Sequence, residues 1–237
     1  MRIFKHNRQK LIIAGLGPGS PELVTLDVLE RAANSQVILI PHSHENEKGL
    51  AETIMAHHMP DRILTPLLFP MIRDSEKRDK IIFSQLKDLM PEIENAENIF
   101  FPVIGDSMLY STGAYLIEAM KKLIPDIDFE FIPGISAHSL ASACAKRFMV
   151  MSDEIFSVIP GTADTEKISA VLKISDTAAI YKPTAINDIQ KIITETGPYT
   201  KIIRVDFAGV KDKEKIFEGK EAINDIKEYL SIILLWH

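Results

Sequence analysis

Short apolar runs that end at glycine or proline recur along this chain, and stretches with helical spacing separate them. The first run, residues 11–14 (LIIA), leads into Gly15-Leu16-Gly17-Pro18-Gly19. Residues 27–34 (DVLERAAN) have helical apolar spacing, and residues 37–40 (VILI) form a second short buried run that Pro41 ends. The opening therefore reads as strand, loop, helix, strand, the start of an α/β fold.

The alternation continues. Residues 49–57 have helical spacing, 62–69 are extended, 74–90 form a long amphipathic helix, and 98–104 (NIFFPVI) give a buried strand that ends at Gly105-Asp106. Residues 111–122 read as a helix, and 129–132 (FEFI) as a strand running into Pro133-Gly134, where the pattern begins again. The second half reads helix 137–146, strand 155–159, helix 165–172, strand 177–181, helix 185–194 and strand 201–206. A charged, turn-rich connection (209–218), a helix (222–229) and a closing strand (230–236) follow. With 237 residues there is length for two domains, each with its own core, and we expect α/β domains over 1–125 and 126–237.

Composition narrows the function classes. There are 27 Lys and Arg against 33 Asp and Glu, so the basic excess that tracks a phosphate backbone is missing and nucleic acid is not an expected partner. Cys144 is the single cysteine, which excludes an internal disulfide framework or a Cys-rich metal site and fits a reducing cytoplasm. No apolar stretch reaches the roughly 18 to 20 residues of a membrane span, and residues 11–14 are too short for a signal peptide's apolar region. No membrane partner is expected. The chain also lacks H-E-x-x-H, so metal catalysis has no support in the sequence.

Candidate ligand loops follow three of the expected strands: Gly15–Ser20, Gly105–Thr112 and Pro133–Ala137. Glycine permits positive φ and close backbone approach, while Pro18 fixes φ within the first turn and removes a donor. The first loop is not a dinucleotide fingerprint. Its third glycine follows the second too soon, and His42 and Ser43 stand where an acidic residue would end the second strand. A Walker loop matches more poorly still, because no G-K-[ST] follows. Any one loop could be only a tight strand-to-helix turn; three at the carboxyl ends of strands mark a ligand site.

These residues carry a specific resemblance. GLGPGSPELVTL resembles the G-x-G-P-G-x-x-x-L-[VT]-T signature of the tetrapyrrole methylase family, IGDSMLYSTGAYL its G-D-P-x-x-Y-S-T motif, and IPGISAHSLASA its V-P-G-[IV]-[ST] motif. The likeness runs on through SDEIFSVIPGT, TAAIYKP and YLSIILLW, so it spans nearly the whole chain. It implies two α/β domains with S-adenosylmethionine in a cleft between them. Pro18 would line the cofactor pocket, Ile104, Gly105 and Asp106 would meet the methionine part, and Leu109, Ser111 and Thr112 would lie beside it. Ser136 and Ala137 would reach it from the domain junction, and Tyr181 would close over the adenine.

Within the family, the later segments imply methylation of precorrin-2 or cobalt-precorrin-2 at ring carbon 20 in cobalamin biosynthesis. Alternatives are another tetrapyrrole methylation, such as that of uroporphyrinogen III, or SAM or tetrapyrrole binding without turnover. The resemblance also implies a homodimer. Asp106 could equally cap the helix near Ser111 or stabilise its turn. Ser107 stands where the family usually has proline. His42 and His44 flank the end of the second strand, where they either face a substrate or are solvated, and His57-His58 reads as a charge pair at a helix end. No side chain is singled out as a base. The carboxylates of a tetrapyrrole would favour Arg or Lys nearby, with Arg62, Arg73, Lys77, Arg78 and Arg147 as candidates.

Overall fold

The structure, a computed structural model, describes residues 9–44, 48–72 and 74–237. It divides into two compact units, one ending at Ser136 and the other spanning Ala137–His237. Arg73 lies outside the described residues.

The first unit contains β1 (Lys10–Gly15), α1 (Leu26–Ala33), β2 (Val37–His42), α2 (Leu50–His58), β3 (Thr65–Leu68), α3 (Ser75–Asp88), α4 (Met90–Ile93), β4 (Asn98–Val103), α5 (Gly113–Leu123) and β5 (Asp128–Ile132). Its five strands are parallel in the order β3-β2-β4-β1-β5. The uninterrupted apolar runs follow from burial on both faces. Leu11 and Ile13 of β1 pack with Ile82, Leu86, Leu116 and Met120 of α3 and α5, whereas Ile12 and Ala14 pack with Val28, Ala32, Ile54 and Met55 of α1 and α2.

Pro41 does not end the second strand. The residues around it pair with β3, Pro41 with Leu67 and His42 with Leu68. Pairing of β2 with β4 is confined to Val37–Ile99 and Ile38–Phe100, while β4 continues along β1 to Val103. Pro41 and Pro102 lie beyond the last β2–β4 pair, and neither has an N–H with which to extend that ladder. The long helix expected over 74–90 stops at Asp88, and a separate α4 starts at Met90 with Pro91 in its first turn.

The second unit contains α6 (Ala137–Cys144), β6 (Phe156–Pro160), α7 (Thr165–Leu172), β7 (Thr177–Tyr181), α8 (Ile189–Thr196), β8 (Lys201–Asp206), β9 (Lys215–Glu218) and β10 (Ser231–Trp236). Its sheet is mixed, in the order β6-β7-β10-β8-β9, with β6 and β7 parallel and β10 antiparallel to both β7 and β8. Ile168, Leu172, Ile192 and Ile193 of α7 and α8 cover one face; Ala141 and Ala145, in and just after α6, cover the other.

Three expectations for this half change. Residues 209–218 are not wholly a connection, because Lys215–Glu218 forms β9 against β8. The expected helix 222–229 is absent; a 3₁₀ turn, Gly219–Ile223, runs into irregular chain. There the carbonyls of Ala222 and Asn224 accept from the Arg204 guanidinium at 3.3 and 2.7 Å instead of closing helical turns. Helix α8 begins at Ile189 rather than 185, after Asp188 in the left-handed conformation. The compact units also divide after Ser136 rather than between 125 and 126, because β5 pairs with β1 and completes the first sheet.

Candidate functional site

Strand order brings the three glycine-rich loops together. β4, β1 and β5 are adjacent and parallel, so the loops after them leave one edge of one sheet. Gly17 and Gly105, at φ of 76° and 78°, exchange backbone hydrogen bonds of 3.2 and 2.7 Å. A Cβ on Gly15 would lie 2.6 Å from both the Gly105 oxygen and the Gly134 nitrogen, and one on Gly134 would lie 2.6 Å from the Gly15 oxygen. Main chain touches main chain there, which only glycine allows.

Asp106 ties the loops to each other. Its Oδ1 accepts from the Met108 amide at 2.9 Å, and its Oδ2 accepts from the Gly134 amide at 2.9 Å. It does not cap α5. Thr112 occupies that N-cap without a side-chain bond, and Ser111 Oγ accepts from the Gly113 amide at 3.0 Å. Ser107, between Asp106 and Met108, is 3% exposed, and its hydroxyl has no hydrogen-bond partner among the described residues. Leaving a buried hydroxyl unsatisfied costs about 1–3 kcal/mol.

The other expected site residues fall into two groups. Pro18 is buried in the first loop, and Ile104, Gly105, Leu109, Ser111, Thr112 and Ser136 are half-buried along the same three loops. Ala137 and Tyr181 belong to the second unit. There the Tyr181 hydroxyl accepts from the His138 amide at 3.2 Å and bonds the His138 Nδ1 at 2.8 Å. His138, whose ring also lies 5.2 Å from that of Phe156, was not legible as a site residue, because nothing in the local spacing links it to Tyr181.

A family model for Tetrapyrrole (Corrin/Porphyrin) Methylases matches residues 10–223. The chain belongs to that family. It is 29% identical over 230 residues, 96% of each sequence, to a protein of Methanocaldococcus jannaschii named "Probable cobalt-precorrin-2 C(20)-methyltransferase". It is 23% identical to the precorrin-2 C(20)-methyltransferase of a Sinorhizobium species, covering 95% of this chain and 94% of that one. The fold is shared with uroporphyrin-III C-methyl transferase from Thermus thermophilus, solved with S-adenosyl homocysteine (TM-score 0.65, 12% identity, 96% and 97% coverage).

In this tetrapyrrole methylase the described basic residues singled out from the sequence fall at separate places. Arg62 donates to the carbonyl of Ser35, which precedes β2 at the opposite edge of the sheet. Arg78 holds Asp79 at 2.9 Å and stacks 3.8 Å over Tyr115. Arg147 donates to Thr200 at 3.1 Å and lies 5.2 Å over Trp236, at the amino end of β7 and β8. Lys77 is exposed in the first turn of α3.

The histidines are likewise engaged. His42, the last residue of β2, is 3.1 Å from Glu52 of α2, which also lies 3.9 Å from Lys48. His44 Nδ1 is 3.1 Å from Ser43 Oγ. His58 Nε2 bonds the Pro21 carbonyl at 2.9 Å, with the His57 ring edge-on at 5.0 Å. In the first loop, the Ser20 hydroxyl holds the Glu22 carboxyl below its ordinary range.

Proposed function

We propose that this chain is an S-adenosylmethionine-dependent C-methyltransferase of cobalamin biosynthesis that methylates precorrin-2, or its cobalt form, at ring carbon 20. The convergence of Gly15, Gly105 and Gly134 around Asp106 carries the reading. The names of the Methanocaldococcus and Sinorhizobium relatives support the substrate.

The loops suit a zwitterionic amino-acid group. Each Asp106 oxygen already accepts one backbone N–H and keeps capacity to accept from an ammonium, and the unsatisfied Ser107 hydroxyl offers a further polar partner. We assign Pro18, Ile104, Gly105, Asp106, Leu109, Ser111, Thr112, Ser136 and Ala137 to S-adenosylmethionine, with Tyr181 against the adenine. The sulfonium supplies a methyl carbon already activated for displacement. The protein's work is then positioning and exclusion of water, for which loops pinned main chain to main chain are suited. Tyr181, held through its hydroxyl by His138, presents a fixed ring.

The same reading includes a homodimer in a reducing cytoplasm. Sedimentation velocity at micromolar concentration tests the dimer.

The deciding experiment incubates purified protein with S-adenosylmethionine and precorrin-2, with and without inserted cobalt, under anaerobic conditions. We expect one added methyl group, by mass, on one of the two forms. Cofactor binding without methylation of either overturns the substrate assignment. Methylation of uroporphyrinogen III instead moves the chain to another branch of the family.

A further inference from the structure

At the carboxyl end of β7, Tyr181 is followed by Lys182 in the left-handed conformation, φ 53° and ψ 51°. Side chains rarely adopt that backbone, and here the surrounding main chain enforces it. Gly161, after β6, donates its N–H to the Tyr181 carbonyl at 2.6 Å, and a Cβ on Gly161 would strike the Lys182 carbonyl. That carbonyl also accepts from the Ala185 amide at 3.0 Å, closing the turn.

The side chain is half-buried, with its ammonium 5.8 Å from the centre of the Tyr229 ring. No described carboxylate lies within 4.0 Å of it. Other half-buried lysines are paired: Lys10 with Glu130 at 2.8 Å and Lys201 with Glu218 at 3.5 Å. An aromatic face compensates a partly desolvated ammonium only in part, whereas a carboxylate adds a charge-assisted hydrogen bond.

We propose that Lys182 is a carboxylate-binding residue for the reaction's own ligands. The inference rests on the functional reading above, which supplies two carboxylate sources. One is the set of acidic side chains on the tetrapyrrole; the other is the amino-acid end of the methyl donor. Lys182 directly follows Tyr181, the residue assigned to the donor's adenine, whereas Arg62 and Arg147 lie at the amino ends of strands in their own sheets.

The test compares wild type with Lys182→Gln, Lys182→Arg and Lys182→Gly, the last suited to a left-handed backbone and so a guard against misfolding. Thermal melts establish folding; calorimetry gives Kd for S-adenosylhomocysteine, and initial rates give kcat and KM for the tetrapyrrole that wild type methylates. For a tetrapyrrole carboxylate we expect KM to rise about tenfold or more in the Gln and Gly variants. Here kcat changes little, Arg restores binding, and the defect shrinks at high salt.

For a donor carboxylate, the S-adenosylhomocysteine Kd rises instead, while decarboxylated S-adenosylmethionine binds all variants alike. Either pattern supports carboxylate binding. An active wild type whose folded variants match it in both ligands overturns this inference alone. A wild type that methylates no tetrapyrrole overturns the functional reading together with it.

Discussion

The carboxyl edges of the two sheets solve the same crowding problem differently. In the first unit Gly15, Gly105 and Gly134 bring three strand ends into main-chain contact, and two of the loops are bridged by Asp106. In the second, Gly161 supplies the space and Lys182 carries the left-handed backbone. Buried charge divides the units as well. Arg204 and Asp206 of β8 are each 3% exposed, with Nε and Oδ1 3.1 Å apart. Among described buried residues of the first unit, the polar ones are only Ser35 and Ser107. The first unit is therefore governed by steric fit between backbones, and the second also by electrostatic satisfaction.

The largest expected effect tests that electrostatic half. Asp206→Ala leaves the Arg204 guanidinium without its carboxylate and the Ser231 hydroxyl without its 2.6 Å acceptor. We expect a loss of about 3–5 kcal/mol in urea unfolding, and a much smaller loss for the double change Arg204→Met with Asp206→Leu. Equal losses in the two would remove the electrostatic distinction between the units.

Next comes steric fit. Gly134→Ala forces a Cβ against the Gly15 main chain, and overpacking of that kind costs about 3 kcal/mol. At Gly105 a Cβ meets nothing within 4 Å, so Gly105→Ala carries only the left-handed backbone penalty, about 1 kcal/mol. Equilibrium unfolding should rank the two in that order. The reverse order would mean that conformation, not contact, selects these glycines.

A smaller change of opposite sign is expected at Ser107. Without ligand, Ser107→Ala removes a buried hydroxyl that has no partner among the described residues and should stabilise the protein by about 1 kcal/mol. A raised Tm in the free protein, with weakened S-adenosylhomocysteine binding, would mark the hydroxyl as a ligand group.

The smallest effect is chemical. Burial, followed by the charge of Glu214, pushes the Cys144 thiol above its ordinary range. A raised pKa means less thiolate at a given pH. Alkylation by iodoacetamide at pH 8 should be slower than for a free thiol, and Glu214→Gln should move the rate profile toward lower pH. An unmoved profile would show that Glu214, 3.7 Å from the sulfur, does not act on it.

Much of the fold was readable because strands buried on both faces appear as uninterrupted apolar runs, as in VILI and SIILLW. Helix α7 and strands β7 and β8 fall at their expected residues. Strand β9 escaped notice because KIFE is short, exposed and charged at both ends, as suits an edge strand. The helix expected at 222–229 has good local spacing, but Arg204, distant in sequence, draws its carbonyls away.

From its sequence alone this chain's three glycine loops could be located, because turn chemistry and apolar period are properties of neighbouring residues, and the resemblance of the motifs in those loops to the tetrapyrrole methylase signatures pointed to the family. Folding decided what those loops do to each other. Asp106 meets Gly134, Tyr181 meets His138, β5 joins the first sheet, and Lys182 is left without a carboxylate partner among the described residues. Each of these depends on residues brought together by strand order or by packing, and local sequence preference specifies neither.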